Sequence, residues 1–405
     1  MRFIMLVVLI DMLAIGIIVP VLPALVGNFT TDPSEQSYWY GVVAFSFALA
    51  SFFGAPILGA LSDRFGRRPV LLLGFCGLAL SFFATALATS LWMLIAARVI
   101  GGGMQANIAV ANAYVADITP PKERARRFGM LGAMFGIGFI LGPVVGGLLG
   151  GIDLHYPFFA AGALALLNLA YGYFVLPESL PADQRRGFAW SRANPVSALK
   201  QLSALKDTAP LVVVLAFVGL AQFTLYTTWV LYTTFKFGWG PTENGWSLFA
   251  VGIAAVLVQG VLLGRLLKRF TPQRLVVLGL ASSTVAYALW GLASEGWMMY
   301  VIIGANLLGA TVAATLQSLI SGAADAKNQG QTMGSISSLN SLMAVIAPAI
   351  GAPLLAIVSH YPQGDWRIGA PLLACAALQA VALVLAWSHF RKMRLARAEP
   401  ATAAP

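Results

Sequence analysis

Asp11 is the one acidic residue inside a long apolar run, with Met5-Leu-Val-Val-Leu-Ile10 before it and Met12-Leu-Ala-Ile-Gly16-Ile-Ile-Val-Pro20 after it. At about 1.5 Å per helical residue it sits roughly 10 Å in from the start of that run. A charged carboxylate at the centre of a bilayer costs about 2.5–3.5 kcal/mol on insertion scales. Burial and contact with water therefore favour different protonation states, which outlines a proton carrier; the plainer alternative is a structural acid tied to a neighbouring helix. Arg98 is the matching cation at depth, and Gln105 and Asn112 follow it at intervals of seven beside Gly101 and Gly102. Lipid offers a guanidinium no partner, so the spacing predicts one helical stripe facing an internal cavity. A structural tie from Arg98 to a carbonyl is the competing reading.

Other polar side chains interrupt apolar runs farther along: Gln222, Tyr226, Trp229 and Tyr232, then Gln317 and Asn340. Amide and amphipathic aromatic walls suit a flat, lipophilic, partly polar ligand. Trp229 and Tyr232 equally suit an interfacial aromatic belt. An enzyme is not indicated. His155, His360 and His389 lie at run ends or in loops, away from Cys76 and Cys375, with no metal-ligand spacing, phosphate loop or nucleophile elbow. A chain that moves a substrate without a nucleotide site draws on an ion gradient or runs downhill. No cofactor and no metal are expected, and a proton is the ion that Asp11 would suit.

The elements that must position these residues follow from composition. Of 405 residues, 59% are apolar and 10% charged, with a mean hydropathy of +0.81. A soluble domain is about half apolar and about a quarter charged. The 41 glycines and 21 prolines fit membrane helices better than soluble ones. Apolar windows give twelve spans: 4–26, 39–61, 70–89, 91–117, 126–150, 157–176, 209–234, 244–267, 275–294, 297–322, 331–358 and 367–389. The first is not expected to be a cleaved signal, since Asp11, Gly16 and Pro20 interrupt it and no A-x-A site follows. The two cysteines lie in apolar segments and predict no disulfide framework. The net charge of +10 is no sign of nucleic acid, because 22 of the 25 Lys and Arg fall in the tails and alternate loops on one side. The positive-inside rule places that side, and both termini, in the cytoplasm.

The second half repeats the first at a constant offset of 205. Gly59-Ala-Leu-Ser-Asp63-Arg64-Phe65 realigns with Gly264-Arg-Leu-Leu-Lys268-Arg269-Phe270, Trp92-Met93 with Trp297-Met298, Pro143 with Pro348 and Gly146 with Gly351. The expected fold is all-α and integral to the membrane: twelve transmembrane helices as two pseudo-symmetric six-helix bundles. The expected divisions are a first bundle over 1–176, a cytoplasmic linker over 177–209, a second bundle over 210–390 and a cytoplasmic tail over 391–405. In the linker, Asn194-Pro195 ahead of Val196, Leu199, Leu202 and Leu205 predicts a short amphipathic helix on the membrane surface, or a plain connector. Two homologous bundles meeting at a midplane site is a common transporter plan.

Two motifs carry mechanism. The loop Gly59-Ala-Leu-Ser-Asp63-Arg64-Phe65-Gly66-Arg67-Arg68 combines a tight turn at Gly66, a carboxylate able to cap a helix and cations for nearby acids, with Asp117 and Glu123 as the expected partners. It resembles the signature loop of the major facilitator superfamily, which implies a latch on the cytoplasmic side. In span five, Gly129, Gly138, Gly142, Pro143, Gly146 and Gly147 resemble that superfamily's antiporter motif. Physically, Gly138, Gly142, Gly146 and Gly150 make a smooth stripe for backbone packing, and Pro143 permits a kink.

At closer range the chain is similar to the tetracycline/proton antiporters. The likeness is densest in Gly16-Ile-Ile-Val-Pro20-Val-Leu-Pro23, Leu61-Ser-Asp-Arg-Phe-Gly-Arg-Arg-Pro69, Tyr114-Val-Ala-Asp117-Ile-Thr119, Glu123-Arg124-Ala125-Arg126 and Pro157-Phe-Phe159. The resemblance implies export of a drug in exchange for inward protons, with Asp11, Asp63, Arg64 and Arg98 on functional positions and Asp11 and Arg98 as the proton-coupling residues. That family carries further ionisable groups in its third, eighth and ninth spans. Here Ser81 takes the first place, span eight has no histidine, and Ser282, Ser283 and Thr284 stand where the last acid would be. This implies a different or broader drug range with Asp11 as the main coupling acid. The expected partners are a drug-like small molecule, protons and the bilayer, with the protein a monomer in the bacterial inner membrane. The alternative on the same fold is an exporter or facilitator of a metabolite such as a sugar or amino acid.

Overall fold

The computed structural model describes residues 2–188, 190–195, 209–323 and 329–398. All regular structure among them is helical. Eleven helical stretches are long and apolar enough to cross a membrane, and a bent pair, Gly296–Ala305 with Gly309–Gly322, supplies a twelfth. The predicted spans are all present. The surface helix predicted over 196–205 lies outside the described residues.

The deviations from straight helices are informative. Span one runs as Arg2–Ile18 and Leu22–Gly27, interrupted ahead of Pro23. Span four breaks between Leu91–Gly103 and Asn107–Ile118, just past the triplet Gly101-Gly102-Gly103. Span ten breaks between Gly296–Ala305 and Val312–Ala323, with a 3-10 turn over Gly309–Thr311 and a bend of 55°. Residues 104–106 and 309–311 are repeat mates at the offset of 205, so the internal duplication extends to the breaks. Span eight carries a π turn, Val258–Leu262, between Pro241–Leu257 and Leu263–Arg269. Span five, Arg124–Gly150, stays one helix through Pro143. Span seven, Ala209–Phe237, outruns its predicted end. Lys236, expected in a loop, is therefore in its last turn, buried, with Nζ donating to the Gly291 carbonyl at 2.8 Å.

Each half has its own apolar core. Ile17, Leu25, Phe82 and Phe158 centre one cluster of the first half; Trp229, Tyr232, Trp290 and Leu372 centre one of the second. The halves join at the end opposite the basic loops. Gly41 of span two (Pro33–Phe65) lies against Ala352 of span eleven (Gln329–Val358). A Cβ on Gly147 would stand 2.6 Å from the Pro241 carbonyl oxygen of span eight, and Thr242 Oγ1 donates to the Gly147 carbonyl at 3.2 Å. Toward the basic end, Gly59, Gly129, Gly132, Gly260 and Gly264 have nothing within 4 Å of where a Cβ would be. A cleft of about 330 Å³ separates Pro56, Gly59 and Asp63 of span two from Ser337, Ser338 and Ser341 of span eleven. Among the described residues the halves are in contact at one end, and at the basic end they are separated by this cleft, which Pro195 of the linker also lines.

The stripe in span five is the tightest seam within the first half. A Cβ on Gly142 would lie 2.6 Å from Gly16 Cα, one on Gly138 2.7 Å from the Leu9 carbonyl, and one on Gly146 would collide with the Ile17 carbonyl. Backbones at this distance leave no space for a side chain. Gly129, outside the predicted stripe, takes no part in the seam: nothing lies within 4 Å of where its Cβ would be. Gly146→Val should therefore cost at least about 1–3 kcal/mol through overpacking, whereas Gly129→Ala should be neutral or stabilise by about 0.4–1 kcal/mol. Unfolding titrations in mixed micelles read both.

Candidate functional site

Asp11 is 5% exposed, on the face of span one that meets spans four and five. Its Oδ1 accepts from Asn107 Nδ2 at 3.0 Å. Asn107 is the first residue after the break in span four, and it fits because Gly74 of span three leaves its carboxamide room: a methyl on Gly74 would strike Asn107 Oδ1. Span six adds a second amide, with Asn168 Nδ2 donating to the Val7 carbonyl one turn before Asp11 at 2.9 Å. Gly138 seats span five against Leu9 and Met12, on the same turns. The predicted stripe of Arg98, Gln105 and Asn112 is not continuous. The break re-registers the helix, so Gln105 falls in the break itself and Asn112 is exposed, while Asn107 becomes the residue that meets the acid.

Arg98 is 2% exposed and sits wholly within the first half. Its guanidinium donates to Thr85 Oγ1 at 2.9 Å and to Ser81 Oγ at 3.3 Å, both in span three (Arg67–Ala86). The rings of Phe47 and Phe82 lie 5.8 and 5.9 Å away. Its Nε is buried with no hydrogen-bond partner. Ser81, standing where the resemblance expects an aspartate, thus touches the cation directly. Arg98 is held by neutral hydroxyls and ring faces instead of facing an open cavity.

The basic loop forms a three-residue ion cluster. Arg67 donates to Asp63 Oδ1 and, through Nε, to Asp117 Oδ2 at 3.0 Å. Gly66, at φ 105°, makes the turn that only glycine adopts readily here. Glu123 is not in the cluster: it pairs with Arg127 one turn along its own helix at 3.0 Å. Arg64 lies over the Phe65 ring, and Arg68 donates to the Tyr173 carbonyl. The capping carboxylate is Glu178, which the sequence reading did not single out. Its Oε1 accepts from Arg67 N at 2.8 Å and its Oε2 from Arg68 N at 3.2 Å, at the start of span three. Ser179 Oγ also donates to Asp117 Oδ2 at 3.1 Å, Tyr114 Oη to the Pro177 carbonyl at 2.9 Å, and Arg186 N to the Asp63 carbonyl at 3.0 Å. The strand of chain after span six is laced onto the loop.

A cavity of about 260 Å³ opens in the second half. Gln222, Tyr226 and Trp229 line it, joined by Gln259, Tyr287 and Gln379. Gln317 and Asn340 do not line it, and its walls come from spans seven, eight, nine, ten and twelve with none from span eleven. Trp229 is no belt residue: its Nε1 donates to Ser247 Oγ at 3.0 Å and its ring meets Trp290 edge-on at 5.2 Å. Tyr232 is also buried, its hydroxyl donating to the Trp290 carbonyl. Gln259 and Asn306 had a legible signal, as amides in otherwise apolar runs, and each marks an irregular turn of backbone: the π turn and the break in span ten. Among the described residues no group of three His, Cys, Asp or Glu is placed to hold a metal ion.

A double-mutant cycle on Arg67→Ala and Asp117→Ala should return a coupling of about 0.5–3 kcal/mol, as expected of a contacting pair in one network. The exposed helical pair Glu123 and Arg127 should return no more than about 0.5 kcal/mol. Unfolding free energies of the four variants in each cycle make the comparison.

Comparison with known proteins agrees with this geometry. The sequence matches the Major Facilitator Superfamily over residues 4–348 and again over 211–404. It is 38% identical to the class C tetracycline resistance protein of Escherichia coli, covering 91% of this chain and 93% of that one. It is 30% identical to multidrug resistance protein 2 of Bacillus subtilis, covering 86% and 87%. The crystal structure of the human organic anion transporter MFSD10 (TETRAN) superimposes with a TM-score of 0.68 at 25% identity, over 95% of this chain and 98% of that one. A bacterial homologue of the lysosomal transporter Spinster, in an inward-facing unoccupied conformation, matches in fold with a TM-score of 0.74 at 16% identity over 96% of both chains. With twelve apolar helices in two duplicated bundles, and matches over nearly its whole length, this chain belongs to the major facilitator superfamily and is a transporter.

Proposed function

We propose that this protein exports drug-like small molecules from the bacterial cytoplasm in exchange for protons, by alternating access across the inner membrane. The observation that carries the reading is Asp11: a carboxyl inside the first span, hydrogen-bonded to an amide at the break of the fourth. Relatives bearing tetracycline and multidrug resistance names support a drug cargo of tetracycline-like or broader range. The excess of Lys and Arg at the open end supports assigning that end, and both termini, to the cytoplasm. The structure is then the inward-facing state.

Asp11 is the proton-coupling acid. Asn107 donates to it, and a carboxylate accepts a stronger hydrogen bond than a neutral acid does. Loading a proton weakens that bond and loosens the hold of span one on the broken span four. Protonation shifts the balance of the two states only as far as Asp11 is held differently in each, and a helix break is an element that can be held two ways. Arg98 has the positioning role: it pins spans three and four together ahead of the break in span four through Thr85 and Ser81. The cluster of Asp63, Arg67 and Asp117, capped by Glu178, stiffens the cytoplasmic rim of the first half so that it moves as one body. Gly142, Pro143, Gly146 and Gly147 give span five its place between span one and span eight, the seam about which the halves rock. Gln222, Tyr226 and Trp229 contact the cargo. The working unit is one chain, as each half completes the other.

Acid-loaded inverted vesicles test this with tetracycline and ethidium as first probes. Addition of a transported probe should release protons from wild type, and Asp11→Asn should reduce the release at least about tenfold, equivalent to losing about 1.4 kcal/mol or more of coupling. Undiminished release from the variant removes Asp11 from the mechanism.

A further inference from the structure

Among the described residues nothing lies within 4 Å of where a Cβ would be on Gly59 of span two, Gly129 of span five, Gly264 of span eight or Gly334 of span eleven. All four are helical and toward the basic end. Glycine inside a helix is destabilising against alanine, and no close approach of backbone offsets that here. The four are two sets of repeat mates: the offset of 205 carries Gly59 onto Gly264 and Gly129 onto Gly334.

The contacts at the opposite end set a register for them. Span two runs toward the basic end and span eleven away from it, so they are antiparallel. A Cβ on Gly41 would strike the Ala352 methyl. From Gly41 to Gly59 is 18 residues, and from Ala352 back to Gly334 is also 18. That is about five turns and about 27 Å of helix, so each glycine lies on the face that holds the contact. The cleft of about 330 Å³ sets the same faces opposite each other, with Pro56, Gly59 and Asp63 across from Ser337, Ser338 and Ser341. Ser338 and Ser341 donate back to the Gly334 and Ser337 carbonyls at 3.2 and 3.1 Å, so this face can dry without stranding those hydroxyls.

Spans five and eight are antiparallel in the same way. A Cβ on Gly147 would stand 3.1 Å from Gly245 Cα, one on Gly245 2.5 Å from the Pro143 carbonyl oxygen, and Gly252 meets Ile140 farther along. From Gly147 back to Gly129 is 18 residues, whereas from Gly245 on to Gly264 is 19. The π turn over Val258–Leu262 removes the mismatch. It bonds i to i+5 and so takes up one residue more than an α turn. Each seam therefore runs from a tight contact, through the same number of turns, to a pair of open glycines.

We propose that these glycines form a second pair of seams: in the alternate state Gly59 packs on Gly334 and Gly129 on Gly264, backbone to backbone, shutting the basic end as the outer contacts part. Absent side chains let the backbones close on each other. Closure displaces Pro195 of the linker, which lines the cleft. The inference rests on the alternating-access part of the exporter reading and needs neither the proton nor the cargo assigned there. It gives Gly129, idle in the seam with span one, a partner of its own.

Disulfide trapping in proteoliposomes, on a Cys76→Ser, Cys375→Ser background without cargo or gradient, tests the register with copper phenanthroline as oxidant. The paired variants are Gly59→Cys with Gly334→Cys, and Gly129→Cys with Gly264→Cys. The pairs one turn out of register are Gly59→Cys with Ser338→Cys, and Gly129→Cys with Gly260→Cys. The in-register pairs should cross-link at least about fivefold faster, since a disulfide needs Cα atoms within about 4.4–6.8 Å and one turn moves a residue about 5.4 Å. Equal or faster cross-linking out of register overturns the proposal, as does none in register. Gly264→Leu is a second test. Its side chain has open space in this state, so it should unfold in mixed micelles no more readily than wild type. It should nonetheless hold the basic end open and slow tetracycline or ethidium flux at least about tenfold. Wild-type flux in that variant overturns the proposal too, and it decides the matter if the cysteine pairs do not fold. In-register cross-linking in a protein whose flux ignores the pH gradient would sink the exporter reading and leave this one standing; proton-coupled flux with out-of-register cross-links would do the reverse.

Discussion

The hydrogen bond between Asn107 and Asp11 is the constraint around which the first half is built. In hydrocarbon there is no water to satisfy a carboxyl, so its partner must come from the protein. A continuous fourth span would put Gln105 or Asn112 in the running, but neither touches Asp11. The interruption at 104–106 turns the helix so that Asn107 meets the acid instead, and Gly74 gives its amide room. Gly138 brings the backbone of span five onto span one at the same level. A single polar contact thus sits beside a break in one helix, an absent side chain in a second and the first close glycine of a third.

The two halves share a chain path but not a chemistry. Both have a fourth span broken at the equivalent place, which is what duplication followed by function preserves. In the first half the break presents an amide to a carboxyl, and Arg98, the ion cluster and the capping glutamate are all found there. Ala216 is the repeat mate of Asp11, so the second half has no acid to serve, and its break borders a cavity walled by amides and aromatic rings. In the function proposed above, ion handling and cargo handling are separated by lobe. Among the described residues the lobes meet across Gly41 and Ala352, across Gly147 and Pro241, and, deeper along spans five and eight, across Ile140 and Gly252. Such a hinge lets the state of one half bias the access of the other.

Much of this was legible in the sequence because a bilayer leaves few options. Length and hydropathy place every span, and the offset of 205 announces the duplication. The stripe Gly138-Gly142-Gly146 declares its own packing, since nothing but a close helix needs such spacing. What escaped was set by irregular backbone and by contacts far apart in the chain. The run Gly101-Gly102-Gly103 is the visible trace of the break in span four, yet an unbroken period of 3.6 put Gln105 and Asn112 on the working face. Glu178 caps residues 110 and 111 positions away, and nothing in its neighbourhood distinguishes it from a solvated linker charge. Gln259, Asn306 and Gln379 are amides in apolar runs, the same signal that pointed to Gln222. Gln317 and Asn340 carried that signal too and line no part of this cavity, so composition alone does not choose among such residues.

The central claim is that the carboxyl of Asp11 exchanges protons for cargo, and the direction of flux tests it most directly. In proteoliposomes holding wild type, reversing the pH gradient should reverse the net movement of a transported probe, and Asp11→Asn should show net movement set by the probe's own gradient alone. A wild-type flux indifferent to the sign of the pH gradient, or an Asp11→Asn flux that still follows it, would contradict the account.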